Sequence, residues 1–306
     1  MNERSLGDHA LSRLRSQLAA PALVAERYEL REPLGRGGMG EVHRAYDRHL
    51  EREVAIKLLA TELASPEVAA RLHRESRVLA RLEHPGIVPV YDAGVLDDGR
   101  VYYVMRLVDG VRLDVYARDA RTRGITRGDL LRTVLRIAEA VGFAHERGVV
   151  HRDLKPSNVM IGPFGEVLVL DWGVATTLGA RGSAAGTPGF IAPEAARGDA
   201  PVDVRADVYS LGVLLGELLA AHEEPVGRPL ASLVASATAA DPAARYSSMA
   251  ALAADLRRWL DGEPVSAHRE SLSERVGRFV HRHQVAILLL LGYAIVRSFI
   301  FVRRGL

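Results

Sequence analysis

Charged and amide side chains crowd one short stretch of the sequence, GVVHRDLKPSNVM. Side chains of these types can accept a proton, bind an anion and ligate a hard cation. Taken alone, an Asp or a Lys here is more simply half of a solvated ion pair. Their joint occurrence on one short loop between two apolar runs favours a chemical role. The five residues, within eight positions, are His151, Arg152, Asp153, Lys155 and Asn158.

A second motif, GRGGMGEV, places glycines between two predicted strands. Gly35, Gly37 and Gly40 have the spacing of a dinucleotide-binding fingerprint, but that fingerprint requires a strand followed by a helix. The context instead predicts a flexible hairpin whose backbone amides can close over phosphates. The next strand carries VAIK, where the Lys57 ammonium can pair with phosphate oxygens, and Glu75 on the following helix can pair with Lys57.

Two kinds of pattern divide the main part of the chain. From Tyr28 to Leu59, alternating apolar residues predict three strands of an antiparallel meander, followed by one helix before HPG and two further strands. Beyond Gly110 the apolar spacing becomes that of helices, interrupted by a short buried strand in EVLVLDWG. These patterns predict a β-rich lobe over residues 28–108 and an α-rich lobe over residues 109–261.

On these motifs, together with DWG and GTPGFIAPE, the chain resembles the eukaryotic-type (Hanks-type) serine/threonine protein kinases of bacteria over roughly residues 28–261. The resemblance implies a bilobal α+β fold, with an antiparallel β-rich N-lobe that contains one main helix and an α-helical C-lobe. It implies that Asp153 orients and deprotonates a protein hydroxyl and that Lys155 touches the γ-phosphate of ATP. It also implies that Asn158 and Asp171 ligate Mg²⁺, with Mn²⁺ as an alternative metal.

The resemblance further implies a nucleotide pocket. Val42 and Ala55 would lie above the adenine ring and Met160 below it, with Met105 as the gatekeeper. Each of these apolar residues alone is more simply a core residue, so they count only as a set. The implied nucleotide-binding residues are Leu34, Gly35, Gly37, Gly40, Val42, Ala55, Lys57, Met105, Arg106, Val108 and Met160, and Lys57 and Glu75 also belong to the implied catalytic set.

Regulatory and structural residues follow from the same resemblance. Arg152 beside Asp153 is, in this family, a feature of kinases that phosphate on the activation segment switches on. In relatives the Thr of GTPGFIAPE contacts the catalytic Asp, and Pro156 after Lys155 favours the serine/threonine branch over the tyrosine branch. The activation-segment hydroxyls are Thr176, Thr177, Ser183 and Thr187. The implied structural residues are Asp207 and the ion pair Glu194 with Arg245.

Two features depart from the family pattern. Trp172 replaces the more usual Phe after the metal-binding Asp, which keeps an aromatic plug but adds volume. Only 51 positions separate Glu194 from Arg245, too few for the loop and extra helix that relatives have there. We therefore expect a trimmed C-lobe, whose neighbouring helices either expose apolar surface or have it covered by a partner or by residues 262–284.

The bulk composition excludes several classes of protein. A chain of 306 residues that is 48% hydrophobic and 25% charged can bury a sizeable core, which excludes a disordered tail. The absence of cysteine excludes disulfides, thiol catalysis and cysteine-ligated metals. The net charge is +2 and no long basic face with interleaved aromatic residues occurs, so nucleic acid is not an expected partner.

The two ends of the chain have distinct patterns. Residues 1–27 form an N-terminal extension without a secretory signal, and its leucine spacing predicts a short amphipathic helix over 10–26. Residues 285–302 form an apolar run interrupted only by Arg297 and Ser298, which predicts a transmembrane helix. A buried or interfacial amphipathic helix remains the alternative for that run.

A basic linker precedes the apolar run and a short tail at 303–306 follows it. In the linker, residues 262–284, the basic side chains Arg275, Arg278 and Arg282 favour contact with anionic lipid and a cytoplasmic kinase domain. The expected location is therefore the cytoplasmic membrane, crossed once.

The sequence thus predicts a membrane-anchored serine/threonine protein kinase that uses Mg-ATP, phosphorylates its own activation segment and forms a transient homodimer. The first alternative is an ATP-binding pseudokinase or signalling scaffold whose trimmed lobe does not accept substrates. The second alternative is a kinase for small molecules, which would be expected to lack GTPGFIAPE. The protein substrates cannot be named from the sequence.

Overall fold

A computed structural model describes residues 23–304 except 25, 38–39, 60–81, 97, 121, 173–175, 181–185, 199–200 and 223. Three predictions lie outside the described residues. They are the helix that carries Glu75, the hydroxyl of Ser183 and the N-terminal helix up to residue 22.

The N-lobe is built on one antiparallel sheet with the strand order β1-β2-β3-β4-β6-β5. The predicted meander of three strands and the two later strands are confirmed. The predicted N-terminal helix is wrong at its end, because Leu23 and Val24 pair with the next strand and bury Val24. The strands are β1 (Leu23–Val24), β2 (Tyr28–Gly37), β3 (Gly40–Asp47), β4 (Arg52–Leu59), β5 (Val90–Val95) and β6 (Val101–Arg106).

The C-lobe is mainly helical, as predicted, and it also contains short strands. Strand β9 pairs with both β7 and β10, and β8 pairs with β11. The strands are β7 (Val111–Arg112), β8 (Val149–Val150), β9 (Val159–Ile161), β10 (Val167–Val169) and β11 (Thr176–Thr177). The helices up to residue 260 are α1 (Leu113–Arg118), α2 (Arg127–Glu146), α3 (Pro193–Arg197), α4 (Arg205–Ala221), α5 (Arg228–Ala237) and α6 (Met249–Leu260).

Helix α2 begins at a capping box and buries one face. The Asp129 backbone N–H donates to Thr126 Oγ1 at 3.2 Å, and the Thr126 N–H donates to the Asp129 carboxylate at 3.0 Å. Two N–H groups that a helix start leaves unpaired are thereby satisfied. Val134, Ile137 and Val141 follow at helical spacing and are fully buried, and each such side chain stabilises the fold by about 1.5–3 kcal/mol.

Helix α4 is the central helix of the C-lobe. Its apolar side chains are buried over most of the helix surface, and the exposed Glu217 and Ala220 lie on one face. At Gly212 a Cβ atom would lie 2.6 Å from the Cβ of Ala237, so the glycine permits close contact between α4 and α5. This packing fixes Asp207, in the first turn of α4, beneath the crowded loop.

The C-lobe is trimmed where the sequence predicts it. Residues 222–227 join α4 to α5, and those that the structure describes form no helix. Part of the segment that follows α6 covers the C-lobe, since Val265 is buried and Ala267 packs against the core. The expectation that residues 262–284 could cover the lobe therefore holds for their first part.

Two helices follow, α7 (Leu272–Arg282) and α8 (Gln284–Arg304). The sequence predicts a linker over the residues of α7, so this helix is a difference from the prediction. Over the residues that the structure describes, no helix is both long enough and apolar enough to cross a membrane. The predicted transmembrane helix at residues 285–302 is therefore not confirmed.

Candidate active site

The crowded loop brings three side chains into one hydrogen-bonded triangle with the activation segment. The Thr187 hydroxyl donates to Asp153 Oδ1 at 2.6 Å and accepts a hydrogen bond from Lys155 Nζ at 2.6 Å. Lys155 Nζ also lies 2.8 Å from Asp153 Oδ2. The Thr187 hydroxyl, 34 residues away from Asp153 in the sequence, thus bridges the Asp153 carboxylate and the Lys155 ammonium.

The buried carboxylate of Asp207 fixes the backbone of this loop. It accepts the N–H of His151 at 2.7 Å and the N–H of Arg152 at 2.8 Å, and His145 Nε2 lies 2.8 Å away. Arg152 has φ of 68°, a left-handed conformation that costs energy in a residue other than glycine. Burial opposes ionisation of Asp207, but the hydrogen bonds and nearby imidazoles outweigh it and hold its pKa below the ordinary value.

Asn158 and Asp171 lie together at the end of the loop. The Leu170 N–H donates to the Asn158 carbonyl oxygen at 2.8 Å, which places the next residue, Asp171, beside Asn158. The Asn158 side-chain NH₂ donates to Asp153, so its amide oxygen is left to bind a cation. Asp171 also pairs with Lys57 Nζ. Carboxylate and amide oxygens fit Mg²⁺, which takes its remaining ligands from water and substrate phosphates.

A cleft of about 290 Å³ opens between the lobes beside these residues. Its lining includes most of the predicted nucleotide-binding residues, but not Gly37 or Gly40. The predicted residues that line it are Leu34, Gly35, Val42, Ala55, Lys57, Met105, Arg106, Val108, Asn158, Met160 and Asp171. Residues that the sequence analysis did not place here are Ile87, Val88, Val90, Tyr103, Leu107, Arg112, Ser157, Leu170 and Trp172. Except for Ser157 of the crowded loop and Trp172 of the DWG motif, the residues of the second group lie outside the motifs that carry the family resemblance.

The glycine motif forms the predicted hairpin between β2 and β3. Gly37 and Gly40 are paired across it, and residues 38–39 lie outside the described chain. Gly40 has φ of 134°, and a Cβ atom there would lie 2.0 Å from the Leu58 carbonyl oxygen. Only glycine fits this position without moving the hairpin.

The structure separates the predicted activation-segment hydroxyls. Thr187 is engaged by Asp153 and Lys155, so in this arrangement its hydroxyl positions the loop and both of its hydrogen bonds would have to break before it accepted phosphate. Thr176 lies in β11, opposite Val150 in β8, and Thr177 is its neighbour in that strand. The expectation that Thr187 serves as an acceptor is therefore disfavoured by its own contacts.

Aromatic and ionic contacts support the site from behind. The Trp172 ring lies 4.6 Å from the ring of His151, which is fully buried and accepts the Asp153 N–H at 3.2 Å. His151 therefore packs behind the loop and supports its backbone. In the C-lobe, Arg245 donates to both oxygens of Glu194 at 2.7 and 2.8 Å. Burial opposes ionisation of Glu194, but Arg245 outweighs it and holds its pKa below the ordinary value.

Comparison with known families agrees with this geometry. Residues 28–255 match the family model of the protein kinase domain. The chain belongs to the protein kinase family. This kinase domain is of the serine/threonine type found in bacteria, as the relatives described next show.

The kinase is 37% identical over 289 residues to the serine/threonine-protein kinase PknB of Mycobacterium tuberculosis. That alignment covers 82% of this chain and 45% of PknB. It is also 37% identical to a probable serine/threonine-protein kinase of Streptomyces coelicolor, covering 81% of this chain and 42% of that protein. The chain thus spans less than half the length of these curated relatives.

A solved structure shows the same fold. The crystal structure of the Mycobacterium tuberculosis PknI kinase domain superposes with a TM-score of 0.64 at 29% sequence identity. The match covers 78% of this kinase and 98% of the PknI domain. The bilobal protein kinase fold, with a sheet in the N-lobe and helices in the C-lobe, is therefore established for this chain.

Proposed function

We propose that this kinase transfers the γ-phosphoryl group of ATP, with Mg²⁺, to serine or threonine hydroxyls of protein substrates. The observation that carries the proposal is the triangle of Asp153, Lys155 and Thr187 beside Asn158 and Asp171. A base, a cation and two hard oxygen ligands meet where the cleft ends. Phosphoryl transfer depends on positioning and electrostatic stabilisation of this kind.

The donor and acceptor capacity of each group is sufficient for these roles. Lys155 has three N–H donors and uses two of them on Thr187 and Asp153, so one remains for a phosphate oxygen. Each oxygen of Asp153 has two acceptor sites, so the carboxylate can still accept the proton of a substrate hydroxyl. Lys57, in the cleft wall, is placed to pair with phosphates further from the acceptor.

Asn158 and Asp171 would hold the metal. Bound Mg²⁺ would neutralise charge on the phosphate oxygens. The residues of the chain contribute the fixed oxygen ligands, and Lys57 beside Asp171 limits the repulsion between that carboxylate and the phosphates.

The same proposal includes membrane attachment, with the kinase domain on the cytoplasmic side, and phosphorylation of the activation segment in a transient homodimer. Attachment is supported by the apolar run at residues 285–302 and by the exposure of Leu288, Leu289, Leu290 and Leu291. Autophosphorylation is supported by Arg152 beside Asp153 and by the threonines of β11. Equal specific phosphorylation across a wide dilution series of the detergent-solubilised chain would contradict the homodimer.

A second candidate function is an ATP-binding signalling scaffold. The observation that favours it is the short connection of α4 to α5, in which the described residues form no helix, because the extra helix that the family resemblance implies there would offer a surface for docking substrates. The complete catalytic triangle favours the enzyme over the scaffold.

Incubation of the full chain in detergent with γ-labelled Mg-ATP and a general protein substrate tests the proposal. We expect label on serine and threonine, none on tyrosine, and none with Lys57→Met. Arg228→Met, which removes an exposed cation on α5, is the matched control and should not change the rate. ATP binding without any transfer would favour the scaffold.

A further inference from the structure

The residues that follow α6 are fastened to the C-lobe by one buried carboxylate. Asp255 accepts the N–H of Ser266 at 2.8 Å, the hydroxyl of Ser266 at 2.8 Å and the N–H of Ala267 at 3.1 Å. Val265, just before them, is 3% exposed. Hydrogen bonds to an ionised acceptor are the strong ones, so this segment is held rigidly against the lobe.

A second set of contacts fixes the start of α7 to this segment. The Ser271 N–H donates to the Glu274 carboxylate at 2.8 Å, and the Glu274 N–H donates to Ser271 Oγ at 3.3 Å, which is a capping box. One turn later, Arg278 pairs with Glu270. The direction in which α7 leaves the C-lobe is therefore determined by its first two turns.

Helix α7 presents an uncovered apolar stripe. Leu272, Val276 and Val280 lie four residues apart and are 79%, 62% and 45% exposed. Residues four apart share one face of a helix. No described part of the chain packs over this face, and α8, with its own exposed leucines, begins two residues after α7 ends.

The charge of α7 indicates which kind of partner covers its apolar stripe. Residues 272–283 contain three Arg and two His against one Glu. Arg275 is exposed and makes no ion pair with any residue that the structure describes. Two copies of so basic a helix repel each other, whereas an anionic lipid surface attracts it. An apolar stripe bordered by arginines is typical of a helix that lies in the membrane interface.

We propose that α7 lies in the plane of an anionic membrane surface, with Leu272, Val276 and Val280 in the acyl boundary and Arg275 among the lipid phosphates. This inference rests on the proposed attachment through residues 285–302.

Asp255 holds residues 266–267 on the C-lobe. His268 lies 3.2 Å from Ser232 Oγ on α5 and 3.3 Å from the Glu274 carboxylate in α7. Because these contacts join α7 to the C-lobe, binding of α7 sets the orientation of the active site relative to the membrane.

The absence of cysteine from the chain allows a direct test on the full protein. Val276→Cys places an environment-sensitive fluorophore on the apolar stripe, and Gly277→Cys places it beside the stripe as the matched position. Each labelled chain is reconstituted into vesicles of phosphatidylcholine alone or with phosphatidylglycerol. We expect the label at 276 to shift to the blue and to resist aqueous iodide only in the anionic vesicles. The label at 277 should remain quenchable in both.

A charge variant gives the second readout. Arg275→Gln should weaken the protection of the 276 label about fivefold, the effect of one basic residue near an anionic surface. Arg228→Gln, an exposed arginine on α5, is the matched control and should leave the protection unchanged.

The experiment distinguishes failure of this inference from failure of the proposed attachment. If the vesicles float with the protein and the 276 label stays quenchable in anionic lipid, the inference is overturned while the attachment stands. If the shift follows protein density and not lipid charge, a second copy covers the stripe and the inference is overturned. If the chain does not float, the attachment and the inference both fail, and phosphoryl transfer measured on the same preparation reports separately on the kinase activity.

Discussion

Replacement of Thr187 by Val tests whether this hydroxyl positions the catalytic groups. Valine keeps the shape of the side chain and removes both the hydrogen bond to Asp153 and the one from Lys155, each 2.6 Å long. The direct contact between Lys155 and Asp153 at 2.8 Å remains. We therefore expect the Asp153 carboxylate to be less well oriented while the charges stay in place.

The size of the effect follows from the two bonds lost. Hydrogen bonds to charged groups contribute about 1.5–3 kcal/mol each, and the remaining ion pair offsets part of the loss. A net loss of about 2–3 kcal/mol in the transition state lowers kcat about 30- to 150-fold. Thr187 does not line the cleft, so the KM for ATP should change little.

The assay is steady-state phosphoryl transfer by Thr187→Val and Thr187→Ser at varied ATP concentration. Serine restores the hydroxyl and should recover most of kcat. A Val variant within about twofold of the wild-type kcat would refute the positioning role, since so small a change corresponds to under about 0.5 kcal/mol.

Three further outcomes follow from the structure. Arg245→Ala removes the buried guanidinium that pairs with the partly buried Glu194 and should lower the free energy of unfolding by about 3 kcal/mol in urea titrations; a loss below about 1 kcal/mol would contradict this role of the pair. Gly40→Ala should weaken ATP binding in calorimetry about tenfold, because its Cβ atom would clash with the Leu58 carbonyl, whereas Gly277→Ala, with open space around it, should not. Burial opposes ionisation of Asp255, but the hydrogen bonds from Ser266 and Tyr246 outweigh it and lower its pKa below the ordinary 3.8. Its contribution to stability is therefore complete above that pH and is lost as the pH falls through the lower folded value. Thermal unfolding from pH 7 to pH 3 should show a shallower acid loss for Asp255→Asn than for the wild-type chain, and an equal loss in the two would contradict this role of Asp255.

The sequence predicts those parts of the kinase that depend on local pattern. The period-two residues of β3 and the helical spacing in α2 appear as expected, because one face of each element is buried, whereas the last six residues of β4 form a continuous buried run. The catalytic role of the crowded loop can be predicted because its charged residues are neighbours in the sequence. The trimmed C-lobe can also be predicted, because only 51 positions separate Glu194 from Arg245 in the sequence.

The remaining features depend on tertiary contacts that no local pattern records. Leu23 and Val24 form a strand only because β2 offers them an edge. Val111 and Arg112 form a strand through pairing with β9. Helix α7 has amphipathic spacing, but its apolar stripe packs against no described part of the chain. Without a buried face, its basic residues are typical of a linker, and the sequence alone therefore predicts a linker. The engagement of Thr187 could be expected from the family, yet its consequence for phosphorylation appears only in the geometry.

The most direct test of the account is phosphoryl transfer by Asp153→Asn. The substitution keeps the shape of the side chain and removes the carboxylate that accepts the substrate proton, while Asp153 does not line the ATP cleft. With the exposed Asp261→Asn as the matched control, we predict that Asp153→Asn binds Mg-ATP with unchanged affinity and transfers phosphate at least about 100-fold more slowly, as expected for loss of a general base. Transfer at the wild-type rate would contradict the assignment of Asp153 as the base and, with it, the proposed mechanism.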